Sequence, residues 1–250
     1  MSDVLLSVEN LAKHFGGVRA TDNLSLDVRA GEIHALIGPN GAGKTTLISQ
    51  LIGETQPDHG TIRMNGAVIN AMTTPQRVAN GLARTFQITE LLREETTLAN
   101  VALAIQARQG HSFYFFGDAR RERALLDPAM AILRDAGLAQ RAHIPVAALS
   151  HGEHKQLELA VALATEPKLL LLDEPMAGLG AAESQEMTSI LKTLKTRITM
   201  LLVEHDMEAV FALADRISVL VYGQLIATGT PAEIQANADV RNAYLGEGDA

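Results

Sequence analysis

The chain has 250 residues, no cysteine and a formal net charge of −8. The lack of cysteine removes disulfides and thiolate metal sites, and the acidic balance argues against non-specific nucleic-acid binding, which needs a basic face. Hydrophobic residues make up 47%, enough for a sizeable core, yet the apolar runs 169–172 and 217–222 fall far short of the roughly 18–20 residues of a membrane span. Residues 1–6 show no basic-then-apolar secretory pattern, so a cytosolic location is expected. In chain order, alternation over 4–11 and 24–28 predicts strands, and Ile33, Ala35, Leu36 and Ile37 predict a buried one. A helix is expected over 45–52, stopped by Gly53 with Pro57 shortly after. The stretch 61–64 reads as a strand entering an Asn65-Gly66 turn. From about 88 to 148 the texture is helical: Thr97 would cap a helix reaching Gln106, and a second would run over 120–136 to Gly137. Alternation then returns, with helices at 153–164, 182–194 and 207–215 and strands at 169–172, 198–203 and 217–222. This order implies an α/β fold with a mostly parallel sheet and a helical insert.

The segment Gly38-Pro39-Asn40-Gly41-Ala42-Gly43-Lys44-Thr45 matches the pattern G-x-x-x-x-G-K-[ST] between a strand and a helix. Glycines there let backbone N–H groups turn inward around phosphate oxygens. Lys44 would set a compact charge against the β- and γ-phosphates. The Thr45 hydroxyl would bind Mg²⁺, and the Thr46 end of the helix faces the anion. The loop therefore predicts a P-loop core that grips a nucleoside triphosphate, which the two motifs below narrow to a P-loop ATPase core.

Leu169-Leu170-Leu171-Leu172-Asp173-Glu174 is a strand buried on both faces, followed by two carboxylates. Ligands of open α/β sheets bind at that strand end. Asp173 would support Mg²⁺ and Glu174 would polarise the attacking water. About twenty residues earlier, Leu149-Ser150-His151-Gly152-Glu153 carries an S-x-x-E capping box, which opens a helix and also leaves an anion site at its N-terminus.

With these three motifs in this order, the chain resembles the ATP-binding cassette family, whose signature is L-S-G-G-Q, over essentially its whole length. The resemblance implies one cassette domain over 1–250, with an N-terminal antiparallel β subdomain, a core of about 1–87 and 149–250, and a helical subdomain of about 88–148. It makes Phe15 the aromatic that stacks on adenine, Gln87 the contact to Mg²⁺ and the lytic water, and His205 the switch that contacts the γ-phosphate. It also implies two cassettes facing head to tail, so that Ser150 and Gly152 serve the partner chain's ATP while Lys44, Asp173 and Glu174 serve their own. Two departures stand out. His151 replaces the first signature glycine and Glu153 the glutamine, and Ala177-Gly178-Leu179-Gly180 replaces the family's S-A-L-D, leaving no aspartate at 180.

Within the family, Gly81-Leu82-Ala83-Arg84-Thr85-Phe86-Gln87, Leu202-Val203-Glu204-His205-Asp206-Met207 and Ala243-Tyr244-Leu245-Gly246-Glu247 resemble the ATPase of branched-chain or hydrophobic amino-acid importers. Such importers pair two ATPases with transmembrane permeases and an external solute-binding protein, which implies a peripheral place on the inner membrane face. A lipopolysaccharide-exporter ATPase, a urea or amide importer subunit and a weakly catalytic regulatory cassette stay open. A soluble cassette of translation or DNA repair would carry tandem cassettes or long coiled-coil insertions, which this chain lacks. Phe113-Tyr114-Phe115-Phe116, followed by Arg120, Arg121 and Arg123, reads either as an apolar anchor toward permease or membrane or as buried packing.

Overall fold

A computed structural model describes residues 4–85, 91–109 and 123–241. Strands β1 (Val4–Phe15) and β2 (Val18–Arg29) pair antiparallel from Val4↔Arg29 to Phe15↔Val18. Asn10 and Asn23 take positive φ near the register shifts of this pair, a conformation that asparagine tolerates better than most residues. β4 (His59–Met64) pairs with β1, and β5 (Ala67–Val68) completes a sheet of order β2-β1-β4-β5. Asn65 and Gly66 both have positive φ, the geometry expected of an Asn-Gly hairpin turn.

The second sheet has the order β10-β9-β3-β8-β7-β6. It contains β3 (Ile33–Ile37), β6 (Leu82–Arg84), β7 (Leu169–Asp173), β8 (Thr199–Val203), β9 (Arg216–Val221) and β10 (Gln224–Gly229). All neighbours are parallel except β10, which runs antiparallel along the β9 edge. The two-residue period of a strand sorts its leucines between two cores. Leu169 and Leu171 of β7, with Leu201 and Val203 of β8, face helix α1 (Lys44–Ile52) and the antiparallel sheet. Leu170, Leu172, Met200 and Leu202 face α6 (Ala181–Leu194) and α7 (Met207–Leu213). Each fully buried leucine contributes roughly 1.5–3 kcal/mol, and no polar side chain interrupts β7 before Asp173.

Short helices that periodicity does not reveal join these layers: α2 (Thr74–Ala79), α8 (Pro231–Ala236) and α9 (Ala238–Val240). From α2, Arg77 reaches the C-terminal end of α1. Its Nη1 donates to the carbonyls of Gln50 (2.7 Å) and Leu51 (2.6 Å), Nη2 to Asn70 (3.0 Å) and Nε to Met72 (3.1 Å). Arg77 is fully buried, so a charged side chain satisfies the orphan carbonyls that a helix end leaves.

Helices α3 (Thr97–Arg108), α4 (Arg123–Asp135) and α5 (His151–Leu163) enclose a separate cluster that includes Val101, Ile105, Leu125, Leu133 and Leu157. Thr97 is not the cap of α3. The side chain of Thr96 accepts from the Ala99 N–H, while Thr97 is buried and its hydroxyl donates to the Ile144 carbonyl. Two adjacent threonines are equivalent in sequence, and the contact to Ile144 decides between them. α4 ends as expected at Gly137, whose φ is +78°, and Leu138 N–H closes back on the Leu133 carbonyl. Among the described residues, no helix is long and apolar enough to cross a membrane.

Candidate functional site

The parallel strands end on one edge, and three of them, β3, β7 and β8, deliver candidate residues there. β3 leads into the phosphate loop. Its backbone is tied at Ala42, whose carbonyl accepts from Gly223 N–H at 2.8 Å, and Gly223 is itself held through its carbonyl by Asp22 N–H at 2.9 Å. A Cβ at Gly38 would overlap the Leu220 carbonyl, and one at Gly43 would overlap that of Ala20. Glycine is required at both positions by close backbone approach. α1 then begins at Gly43 without a side-chain cap among the described residues, which leaves its first N–H groups available to an anion.

Lys44 is nearly buried, and its Nζ donates to the carbonyls of Gly38 (2.6 Å) and Pro39 (3.1 Å). Burial pushes its pKa below the usual lysine value, while Glu174 and Asp173 pull the other way. Thr45 and Asn40 are exposed, and Thr46 is half-buried. Gly41 opens the loop, with room for a Cβ but a φ of +78°.

Asp173 closes β7 and is buried. Its Oδ2 accepts from Nη2 of Arg84 at 2.7 Å, at the end of neighbouring β6. Glu174 follows with φ +49°, a sparsely populated conformation for a non-glycine residue. Its N–H is held by the Val203 carbonyl at 2.9 Å. This continues the β7–β8 ladder one residue beyond the Asp173↔Val203 pair. Beyond β8, Nδ1 of His205 lies 3.9 Å from Oε1 of Glu174, with the imidazole well exposed. The structure thus brings Glu174 and His205 together on the strand edge shared with the phosphate loop.

Ser150 and Gly152 lie at the start of α5. Ser150 Oγ accepts from Glu153 N–H (3.2 Å), and Glu153 Oε2 accepts from Ser150 N–H (2.8 Å), which is the capping box expected there. Arg141 grips the other oxygen of Glu153 at 2.5 Å. A cleft of about 190 Å³ runs past Ser150 and Gly152 to Gln156, Leu179 and Glu183. Among the described residues, those that meet this turn from elsewhere include Arg141, Ala177, Gly178 and Glu183, none of which belongs to the phosphate loop.

Phe15 ends β1 half-exposed, with Lys13 Nζ 5.5 Å from its ring centroid. Gln87, Phe113 to Phe116 and the 243–247 stretch lie outside the described residues. Two residues with direct bonds to the candidate site stand in the sequence only as members of the stretches 81–87 and 202–207, with no role of their own, namely Arg84 and Glu204. The partner of Arg84 depends on β6 pairing in parallel with β7, Arg84 opposite Leu171, which local pattern does not disclose. The signal for Glu204 is its place beside His205 in the 202–207 stretch.

The family model described as ABC transporter matches residues 21–177, and one described as branched-chain amino acid ATP-binding cassette transporter matches residues 224–250. The high-affinity branched-chain amino acid transport ATP-binding protein LivG of Salmonella typhimurium is 40% identical, covering 99% of this chain and 100% of the relative. BraF of Pseudomonas aeruginosa, of the same description, is 36% identical over the same shares. The crystal structure of the ADP conformation of MJ1267, an ATP-binding cassette of an ABC transporter, superposes with a TM-score of 0.86 at 29% identity. That match covers 98% of this chain and 100% of the other. CbiO1 from Clostridium perfringens, part of the ABC transporter complex cbiONQ, gives 0.81 at 26% identity, covering 98% and 97%. With a family model over well over half its length and relatives matched from end to end, the chain belongs to the ABC transporter family.

Proposed function

We propose that this chain is the ATP-hydrolysing subunit of a transporter that imports branched-chain or related hydrophobic amino acids. The observation that carries the ATPase assignment is the convergence of Lys44, Asp173, Glu174 and His205 at the ends of the adjacent strands β3, β7 and β8. The phosphate loop and the uncapped start of α1 bind the triphosphate, with Lys44 neutralising charge between the β- and γ-phosphates. Glu174 polarises the attacking water, and His205 contacts the γ-phosphate from the next strand end. Phe15 provides an exposed face for the base, and Gln87 completes the water site.

The hydroxyl of Thr45 and the carboxylate of Asp173 are hard oxygen donors suited to Mg²⁺. When bound, the ion neutralises charge on the phosphate oxygens. The signature turn points its contacts away from the phosphate loop of its own chain, which suits a second cassette docked head to tail, each Ser150 and Gly152 serving the other's ATP. Preference for the closed pair in the ATP state, lost on hydrolysis, then drives permease subunits. Support for amino acids as cargo comes from the C-terminal family match and from the names of LivG and BraF.

Hydrolysis and nucleotide affinity measured on the complex with its permease test the site. Glu174→Gln is expected to keep ATP binding and lose turnover, and Lys44→Ala to weaken binding itself. A Glu174→Gln protein that hydrolyses like wild type sinks the assignment. For cargo, the co-purified complex in vesicles is expected to take up leucine with ATP; uptake of another solute class in its place refutes that part alone.

A further inference from the structure

Glu204 is the residue between β8 and His205, and it is fully buried. All three of its carboxylate hydrogen bonds come from backbone N–H groups. Oε1 accepts from Met176 at 2.7 Å, and Oε2 accepts from His205 at 3.0 Å and Asp206 at 3.3 Å. Nδ1 of His205 also lies 3.9 Å from Oε2. Met176 stands two residues past Glu174 in a tight turn, in which Ala177 N–H donates to the Glu174 carbonyl and Leu179 N–H to that of Met176.

One side chain therefore joins the two loops where the sheet stops doing so. The last backbone link between them is Glu174 N–H to the Val203 carbonyl. Beyond it, among the described residues, the hydrogen bond that joins the 174 turn to the 205 turn is the one that Met176 N–H gives the Glu204 carboxylate. A buried carboxylate suits the task. Charge-assisted bonds to N–H groups are short and strong, and an acid this buried is stable only with its acceptor sites filled. The residue is also too enclosed to meet nucleotide directly.

We propose that Glu204 is a positioning residue for hydrolysis, whose carboxylate sets the spacing of Glu174 and His205. This rests on the reading that those two side chains flank the γ-phosphate. Glu204→Gln keeps size and shape but replaces one oxygen with an NH₂ group that opposes an N–H donor, so one loop is released while the other stays held. Turnover of the assembled complex is expected to fall roughly tenfold, with MgATP affinity changing less than about twofold.

Residues in contact couple in stability whatever their role, so the deciding measurement is a double-mutant cycle with His205→Ala read as single-turnover rates beside unfolding midpoints, with coupling expected in the rates and not matched in the midpoints. In the His205→Ala background, Glu204→Gln is expected to cost less than about twofold. Losses that multiply in the double variant overturn the proposal, and so does wild-type turnover in Glu204→Gln itself. Should Glu204→Gln fail to fold, Glu204→Asp, which keeps the charge but cannot span both loops, takes its place under the same criteria. If His205→Ala or Glu174→Gln alone turns over like wild type, the site reading fails. If both slow hydrolysis while Glu204→Gln does not couple to His205→Ala, only the positioning role fails.

Discussion

Arg84 donates from Nη2 to Oδ2 of Asp173 at 2.7 Å and from Nη1 to Oε2 of Glu54 at 3.1 Å, while its Nε is buried without a hydrogen-bond partner among the described residues. The guanidinium thus ties the end of β6 to the carboxylate that ends β7, in a part of the sheet where both side chains are nearly buried. Removing one member of such a pair leaves an uncompensated buried charge, at about 3–5 kcal/mol. Arg84→Ala is expected to lower the unfolding free energy by about that much and to cut hydrolysis, because Asp173 loses its fixed orientation. Arg84→Lys, a point charge without the fork, should recover only part of both. Denaturant unfolding alongside ATPase assays checks this, and a loss below about 1 kcal/mol in Arg84→Ala means Asp173 is held by other contacts.

Arg77 offers a contrasting case, since its four carbonyl partners, Gln50, Leu51, Asn70 and Met72, all lie outside the phosphate loop. Its guanidinium satisfies carbonyls at the far end of α1 from Lys44. Arg77→Met keeps most of the bulk and strands those acceptors, so a loss of roughly 3 kcal/mol is expected. For a chain of this size that is a fall in Tm of about 6–12 °C. Nucleotide affinity of the folded fraction should stay unchanged, and a matching loss of affinity would show that α1 transmits the change to the loop.

Much of this molecule is legible along the chain because it is local. The phosphate loop needs glycine where backbone approaches backbone, β7 announces itself as four leucines and an aspartate, and Ser150 and Glu153 spell their own capping box. The harder elements have other causes. β10 alternates exposed and half-buried positions and is too polar to read as core. The six-residue helices α2 and α8 are too short for periodicity, though each carries a readable box, Thr73 with Gln76 and Thr230 with Glu233. Arg84 and Glu204 were hidden for a different reason. Their partners lie 89 and 28 positions away, and only strand order brings them close.

Acid should destabilise the fold at identifiable places. Asp58 accepts from Lys13 Nζ (2.8 Å) and from the His14 N–H (2.7 Å), and these bonds lower its pKa from the ordinary 3.8 to about 2. Asp27 is held below 3.8 by the Arg216 guanidinium, which donates to both of its oxygens. A carboxylate with a depressed folded pKa stabilises above its unfolded value and loses that contribution as pH falls through the folded one. Tm is therefore expected to hold above about pH 5 and to drop between about pH 4 and 2. Asp58→Asn should start lower at neutral pH and fall less steeply across that window. An equal slope in the two proteins would mean Asp58 is not among the groups responsible.

The two departures from the family pattern meet in space. His151, in place of a signature glycine, has its Nε2 3.5 Å from the Ala177 carbonyl and packs on Gly178, where a Cβ would stand 2.9 Å from that nitrogen. Ala177 in turn donates to the Glu174 carbonyl. The signature turn is thereby in contact, within its own chain, with the loop that follows Glu174. The bond to Ala177 is at the long limit, so packing carries the contact and a volume change is the right probe. Gly178→Ala adds a methyl at a φ of +78°, which strains the backbone by about 1 kcal/mol or more, and it also pushes on the imidazole. His151→Gly removes the imidazole and leaves only the strain. Gly178→Ala is therefore expected to slow ATP turnover of the complex several-fold in the wild-type background and distinctly less in His151→Gly. Equal losses in both backgrounds would show that the imidazole does not bear on the loop, and that the signature turn reaches Glu174 by another route.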